Sequence, residues 1–348
     1  MTLRGKKNHI AVAAFLLIFG ALLTVATFYD LEVSRIMTRF SLREGEFYTS
    51  DVFANFFEAA GMLPKYLLRA FAAMSIAWFL GKSYLHKALR VILFLGGVGM
   101  AVYFLSAGFR DVIFYPMRHM IAEDVEAAEA TIQAMTPTIY LLSYLLSAFF
   151  VGGALFCTRR VSQETWQKLA IFALAYFLMD LLSGSIVSYL KGYVDRIRFR
   201  SMNSVYGQAV GGFDQYTRWY EVTDHADLFR ETILVHYTDA FRSFPSGHTG
   251  NAGCSYALVM LIDCLDVKNK RAKAALWITP IVWTGLTAMA RIVAGAHFMS
   301  DVLIGGTIPF LLMIFVREIY ICRFENTKAM FPFFKKERAQ SEKGENKS

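Results

Sequence analysis

Charge is what this chain has least of. Only 18% of its 348 residues are Asp, Glu, Lys or Arg, against 55% hydrophobic residues. A soluble domain of this length carries about 25% charge. The shortfall, with a mean hydropathy of +0.39, argues against a soluble domain and for a polytopic membrane protein. Cysteine is sparse as well. Cys157, Cys254, Cys264 and Cys322 are scattered in or beside apolar runs, with no CxxC pair. That spacing indicates neither a zinc site nor a disulfide framework, and the four read as small buried hydrophobes. No internal repeat and no long low-complexity segment is present. The net charge of +8 does not point to nucleic acid, because the basic residues fall in short clusters between apolar runs.

What is present is a series of apolar runs. Eight candidate spans lie at roughly 9–29, 63–81, 88–109, 137–157, 168–190, 248–265, 273–291 and 297–318. Each is near the ~20 residues needed to cross the hydrocarbon. The second carries Lys65 and Arg69, and the sixth is short and polar at its start. The first follows Arg4, Lys6 and Lys7. It is longer than a signal-peptide core and reads as an uncleaved helix. The expected fold class is therefore an all-α polytopic bundle of about eight transmembrane helices.

Orientation follows from Lys and Arg in the loops. Basic clusters at Lys82, Lys87 and Arg90, at Arg159, Arg160 and Lys168, at Lys268, Lys270, Arg271 and Lys273, and in the tail all fall on one side. That side is expected to be cytoplasmic, with both termini. The 110–136 connection carries Glu123, Asp124, Glu126 and Glu129 and falls on the outer side. It reads either as an interfacial amphipathic helix, with Phe114, Met117, Met120 and Ile121 toward lipid, or as a solvated one. The residues after 322 are charged and polar, the composition of a disordered tail.

Three polar stretches stand at span ends, and this topology places all of them on the outer face. In the last, His297 and Asp301 are spaced i, i+4, which on a helix makes them neighbours. A carboxylate on one ring nitrogen fixes the tautomer and raises the basicity of the other, priming His297 as a nucleophile. A structural His–Asp pair is the plainer alternative. Arg291 lies across a turn containing Gly295 and can bind phosphate in bidentate fashion. In the second stretch, Pro245 leads Ser246, Gly247 and His248 into a helix. Helix-start N–H groups and the Ser246 hydroxyl can bind an anion, and Gly247 lets it approach closely. His248 then serves as general acid for the leaving oxygen. The first stretch supplies Lys191 and Arg198, with Arg196 and Arg200 as possible substitutes. Cations around a phosphate stabilise its equatorial oxygens. Basic residues snorkelling at a membrane edge are the plainer alternative.

K-x6-R, PSGH and R-x5-H-x3-D, in this order at membrane-helix ends, resemble the type-2 phosphatidic acid phosphatase superfamily, which shares its site with vanadium haloperoxidases. The resemblance covers about 165–320 and a six-helix core. It implies a metal-independent, cofactor-free phosphoric ester hydrolase acting through a phosphohistidine. His297 would be the nucleophile, Asp301 its orienting group and His248 the acid. Lys191, Arg198, Ser246, Gly247 and Arg291 would hold the phosphate. Two departures from the family pattern stand out: Phe199 replaces the usual Pro and Ala290 the usual Ser.

The resulting layout is an N-terminal helical region at 1–164, a catalytic core at 165–322 with an outer loop at 192–244, and a basic tail at 323–348. The loop's Tyr206, Phe213, Tyr216, Trp219 and Tyr220 could contact a lipid head group, form a lid, or belong to an ordinary aromatic belt. Asp180 and Arg69 are charges within spans, hence functional candidates, although Asp180 also suits a structural partner. The expected substrate is a lipid phosphate reached from the outer leaflet of a bacterial cytoplasmic membrane. Phosphotransfer to another acceptor, or a non-enzymatic protein with a degenerate site, are the alternatives. Oligomeric state is not legible.

Overall fold

Long apolar runs, with every backbone group bonded within the segment, give long helices. The computed structural model describes residues 3–120, 125–222 and 227–325. In chain order the helices are α1 (Leu3–Thr38), α2 (Val52–Ala60), α3 (Leu63–Gly81), α4 (Lys87–Met120), α5 (Val125–Thr158), α6 (Gln163–Val194), α7 (Phe199–Asn203), α8 (Val205–Ala209), α9 (Asp227–Leu234), α10 (Gly247–Gly253), α11 (Met260–Cys264), α12 (Lys270–Val293) and α13 (Met299–Val316). Among the described residues there is no strand, only one isolated bridge between Gly45 and Ser204.

Among the described residues, six segments are long and apolar enough to cross a membrane, in α1, α4, α5, α6, α12 and α13. The other two expected spans differ from these. Helix α3 carries Lys65 and Arg69. The run from Gly247 to Cys264 is broken into α10, a 3₁₀ turn at Cys254–Val259, and α11. Here α10 is pressed against α13: a Cβ at Gly305 would lie 2.5 Å from the Ser246 carbonyl oxygen.

The charges of α3 are matched inside the bundle. Arg69 Nε lies 2.7 Å from Asp180 Oδ2 and Lys65 Nζ 3.3 Å from Oδ1. Lys65 also donates to Asn251 Oδ1 at 2.7 Å. Asp180 is thus a structural partner that fixes α3 and α10 on α6.

One expectation about the connections is corrected. Residues 110–120 continue α4 and 125–136 begin α5, so no separate surface helix lies there. Both parent helices simply run on beyond their apolar parts. The 121–124 link, with Ile121, Glu123 and Asp124, falls outside the described residues, as do 326–348 of the tail. The 192–244 loop is a folded cap with its own apolar core of Ile197, Phe199, Met202, Phe229, Ile233 and Phe241. Phe213 and Tyr216 lie against that core and Trp219 donates to Thr27 Oγ1 at 3.1 Å, while Tyr206, stacked on His236, and Tyr220 are exposed.

Helix α1 runs antiparallel to α13, with Phe15 beside Phe310 and Asp30 bonded to Ser300. The ends of α6 and α12 and the starts of α10 and α13 therefore share one end of the bundle, under the cap. The start of α1 and the end of α13 lie at the opposite end.

Replacing Asp180 with alanine leaves two cations without their anion in a low-dielectric setting. The expected cost is about 3 kcal/mol, as for a buried pair stripped of one partner. Unfolding of the detergent-solubilised variant checks this, and Arg69→Ala combined with Asp180→Ala should cost less than the two separate losses together.

Candidate active site

The turn after α12 brings two of the expected residues together. The Arg291 carbonyl accepts from the N–H of Ala296 and of His297, at 3.1 and 3.2 Å. Gly295 makes the turn possible at φ +61°, where a Cβ would also meet Leu42 at 2.9 Å. Arg200 N donates to the Gly295 carbonyl at 2.8 Å, tying the cap to the same turn.

His297 lies ahead of α13, not on it, because the helix is capped at Phe298. The expected i, i+4 neighbourhood with Asp301 is kept, but across the helix cap and at longer range. His297 Nδ1 is 3.8 Å from Asp301 Oδ2. Its hydrogen bond goes to the Ser243 carbonyl, at 2.7 Å. A carbonyl only accepts, so Nδ1 carries the proton and the lone pair is on Nε2. Asp301 acts one step back. It accepts from Ser243 Oγ at 2.5 Å and from the Phe298 N–H at 2.9 Å. It thus fixes both the residue that bonds the ring and the backbone beside it.

Arg196 completes this arrangement. It is fully buried, with Nη1 2.7 Å from Asp301 Oδ1 and Nη2 3.0 Å from Asp30 Oδ2. It also donates to Ser300 Oγ, Tyr216 Oη and the Thr217 carbonyl. Arg196 is hence structural, and the alternatives narrow to Arg198 and Arg200.

Those two arginines line a cavity of about 300 Å³ together with His248, Arg291, Glu58, Asp239, Tyr48 and Tyr115. Arg198 donates to the Asp239 carbonyl at 2.9 Å and pairs with its carboxylate at 3.1 Å. Arg200 reaches the same carboxylate at 3.5 Å and lies over the Phe47 ring. Burial pushes the Asp239 carboxyl up, but Arg198, Arg200 and Arg291 outweigh it and hold it down at about 2. A depressed carboxyl stabilises the fold above its unfolded pKa, so this contribution is present above about pH 4 and is lost as pH falls toward 2. Phe199, where the family pattern has proline, points away into the cap core, against Phe213 and Phe298.

Several buried nitrogens at this end, Arg291 Nε, Arg200 Nε and His248 Nε2, have no hydrogen-bond partner among the described residues, while Arg291 Nη1 pairs with Glu58 Oε1 at 3.1 Å. The charges of Lys191, Arg198 and Arg291 also act on the His297 ring. Lys191 donates to the Arg242 carbonyl at 2.5 Å, and its stem passes Gly247, where a Cβ would sit 3.3 Å from Lys191 Cε. Ser246 takes a different role from the expected one. It is fully buried as the N-cap of α10, its Oγ 3.0 Å from Thr249 Oγ1. A larger cavity, about 620 Å³, opens between the end of α1 and the cap, but none of the expected site residues lines it. No group of three His, Cys, Asp or Glu that could hold a metal ion occurs among the described residues.

Asp30, Glu58, Ser243, Asp239 and Tyr115 are not singled out by the sequence. Asp30 and Glu58 carried a usable signal, since each is a carboxylate at or within an apolar run. Ser243 carried none, because it holds the ring through its backbone carbonyl.

The bundle is a helical membrane protein with a cationic, histidine-bearing cavity at one end. The PAP2 superfamily model matches residues 169–325, and this part of the chain is similar to that superfamily. Phosphatidylglycerophosphatase B of Bacillus subtilis (strain 168) is 35% identical over 86 residues, which is 24% of this chain. The match spans 41% of that relative's length. No solved structure matches. Asp30, Glu58 and Tyr115 lie upstream of the superfamily segment.

The two arginines should separate cleanly in unfolding experiments. Arg196→Ala strands two buried carboxylates and should cost about 3–5 kcal/mol. Arg198→Ala removes a partner from half-exposed Asp239, which keeps Arg200, and should cost under about 1 kcal/mol. Equal losses would contradict the division of roles drawn from their burial.

Proposed function

We propose that this protein is a membrane phosphatase that hydrolyses a phosphate monoester or diphosphate of a lipid. The observation that carries the reading is the convergence of Arg198, Arg200, Arg291 and His248 on one cavity, with buried donors that lack acceptors. Buried polar groups are nearly always hydrogen-bonded. A bound tetrahedral anion supplies oxygens to all of them at once.

Chemistry follows from the ring orientation. His297 Nε2 attacks phosphorus, and the bond to the leaving oxygen breaks. His248 gives that oxygen its proton, and the lipid alcohol departs. Water then attacks the phosphohistidine, losing a proton to His248, and inorganic phosphate is released. Lys191, Arg198 and Arg291 hold the equatorial oxygens throughout, with Arg200 beside them. Asp301 serves by fixing Ser243, whose carbonyl holds His297 in the reactive tautomer. No metal or cofactor takes part.

The distribution of Lys and Arg supports a site on the extracytoplasmic face of a bacterial cytoplasmic membrane, with both termini cytoplasmic. The tail of α4, through Tyr115, forms part of the cavity wall, which favours a substrate delivered from the membrane. The relative's name makes phosphatidylglycerol phosphate the first substrate to test. Phosphatidic acid, a polyprenyl diphosphate and phosphorylated lipid A complete the panel.

Purified protein in detergent with a chelator should release phosphate from at least one lipid of this panel and prefer it to a soluble ester. His297→Ala should lower the rate by at least about a thousandfold while leaving the unfolding midpoint near wild type. Normal turnover by that variant rules out the mechanism, and activity only with added metal rules out its metal-free form.

A further inference from the structure

We propose that Glu58 is a built-in competitor of phosphate: its carboxylate occupies Arg291 in the empty site and weakens retention of the product. The inference rests on the phosphatase reading above and concerns a residue upstream of the superfamily segment.

Glu58 sits on α2, which is anchored at both ends. Asp51 caps its start, accepting from the Ala54 N–H at 2.8 Å. At its far end Trp283 of α12 donates to the Gly61 carbonyl at 2.9 Å, and the Trp283 ring meets Phe57 edge-on. The carboxylate is therefore held in place rather than swinging from a loop. It is only 4% exposed, and Oε1 lies 3.1 Å from Arg291 Nη1 and 3.9 Å from Arg200 Nη1. It lines the same cavity as His248 and Arg198.

This geometry is costly if the site's only task is to bind phosphate. A fixed anion beside the cation that must receive a phosphate oxygen repels the ligand and engages one of its donors. The same geometry is useful for turnover. Inorganic phosphate, once formed, faces Arg198, Arg200 and Arg291, whose side chains are largely buried, so Coulomb attraction is strong. With no opposing charge the product would leave slowly. A carboxylate within reach of two of these arginines replaces the phosphate oxygens as they go, so the arginines are not stranded in the empty site. Asp239 has a different part. It holds Arg198 and Arg200 from the cap, is half-exposed, and shows no ion pair with Arg291 among the described residues.

The test is the affinity of the detergent-solubilised full chain for inorganic phosphate, measured by calorimetry. Glu58→Gln keeps the shape and removes the charge, and should bind inorganic phosphate at least about tenfold more tightly than wild type. In turnover assays the same variant should show stronger inhibition by added phosphate. Glu58→Asp keeps the charge but draws it back by one methylene, and should fall between the two. If Glu58→Gln does not fold, Glu58→Asp carries the test, with tighter phosphate binding still expected. Unchanged or weaker binding by a folded variant, with wild type binding phosphate, overturns the proposal and leaves the phosphatase reading standing. Absence of phosphate binding in wild type and variants alike overturns both.

Discussion

Everything at the active end of this bundle depends on one buried guanidinium. Arg196 has no exposure to solvent, so it persists only because its charge and its donors are matched. The match uses Asp30 from α1, Asp301 from α13, the Ser300 hydroxyl, a cap carbonyl and the face of Phe298, whose ring centroid lies 4.1 Å away. One residue therefore fixes the first helix, the last helix and the cap to one another. From Asp301 the constraint passes to Ser243 and on to the imidazole of His297. The ring is held because the ion cluster behind it cannot relax without exposing charge to apolar surroundings.

In the cavity at the same end of the bundle the electrostatics are reversed. Arg198, Arg200 and Arg291 are incompletely matched, facing two carboxylates and keeping donors without acceptors. The contrast between a closed ion cluster and an open cationic cavity, a few residues apart in sequence, distinguishes scaffold from binding wall. Alternate positions in Arg196-Ile197-Arg198-Phe199-Arg200 are apolar and enter the cap core, which leaves the three arginines to be divided between these environments. Two carboxylates that shape the site, Asp30 and Glu58, come from helices upstream of the superfamily segment. The N-terminal part of the chain is thus built into the site and not merely attached to it.

Much of this was legible beforehand. Apolar runs of sufficient length gave the long helices, because a backbone in hydrocarbon has few other options. The three polar stretches at span ends gave Lys191, His248, Arg291 and His297 as a group, and the structure brings them to one end of the bundle. The broken segment after Gly247 was less legible. Its short length and polar start were visible, but the close approach to α13 beside the 3₁₀ turn, where a Cβ at Gly253 would lie 2.5 Å from Pro309 Cγ, was not. The 110–136 connection read as a helix of its own, while α4 and α5 extend well past their apolar parts. The aromatic-rich loop read equally as belt or lid, since composition does not tell an inward ring from an outward one.

The sequence by itself determined the helical membrane architecture and the set of chemical groups available, since both depend on residue type and local spacing. It also determined the order of the motifs that marks the superfamily. Only the tertiary structure decided which arginine faces the cavity and which is sealed behind it. It also decided that His297 takes its orientation from a backbone carbonyl rather than directly from Asp301, and that Asp30 and Glu58 join the site from far upstream. These are matters of burial and of contacts between residues up to 270 positions apart. Their energies depend on which charges share a dry environment, and that is settled only once the helices and the cap close around them.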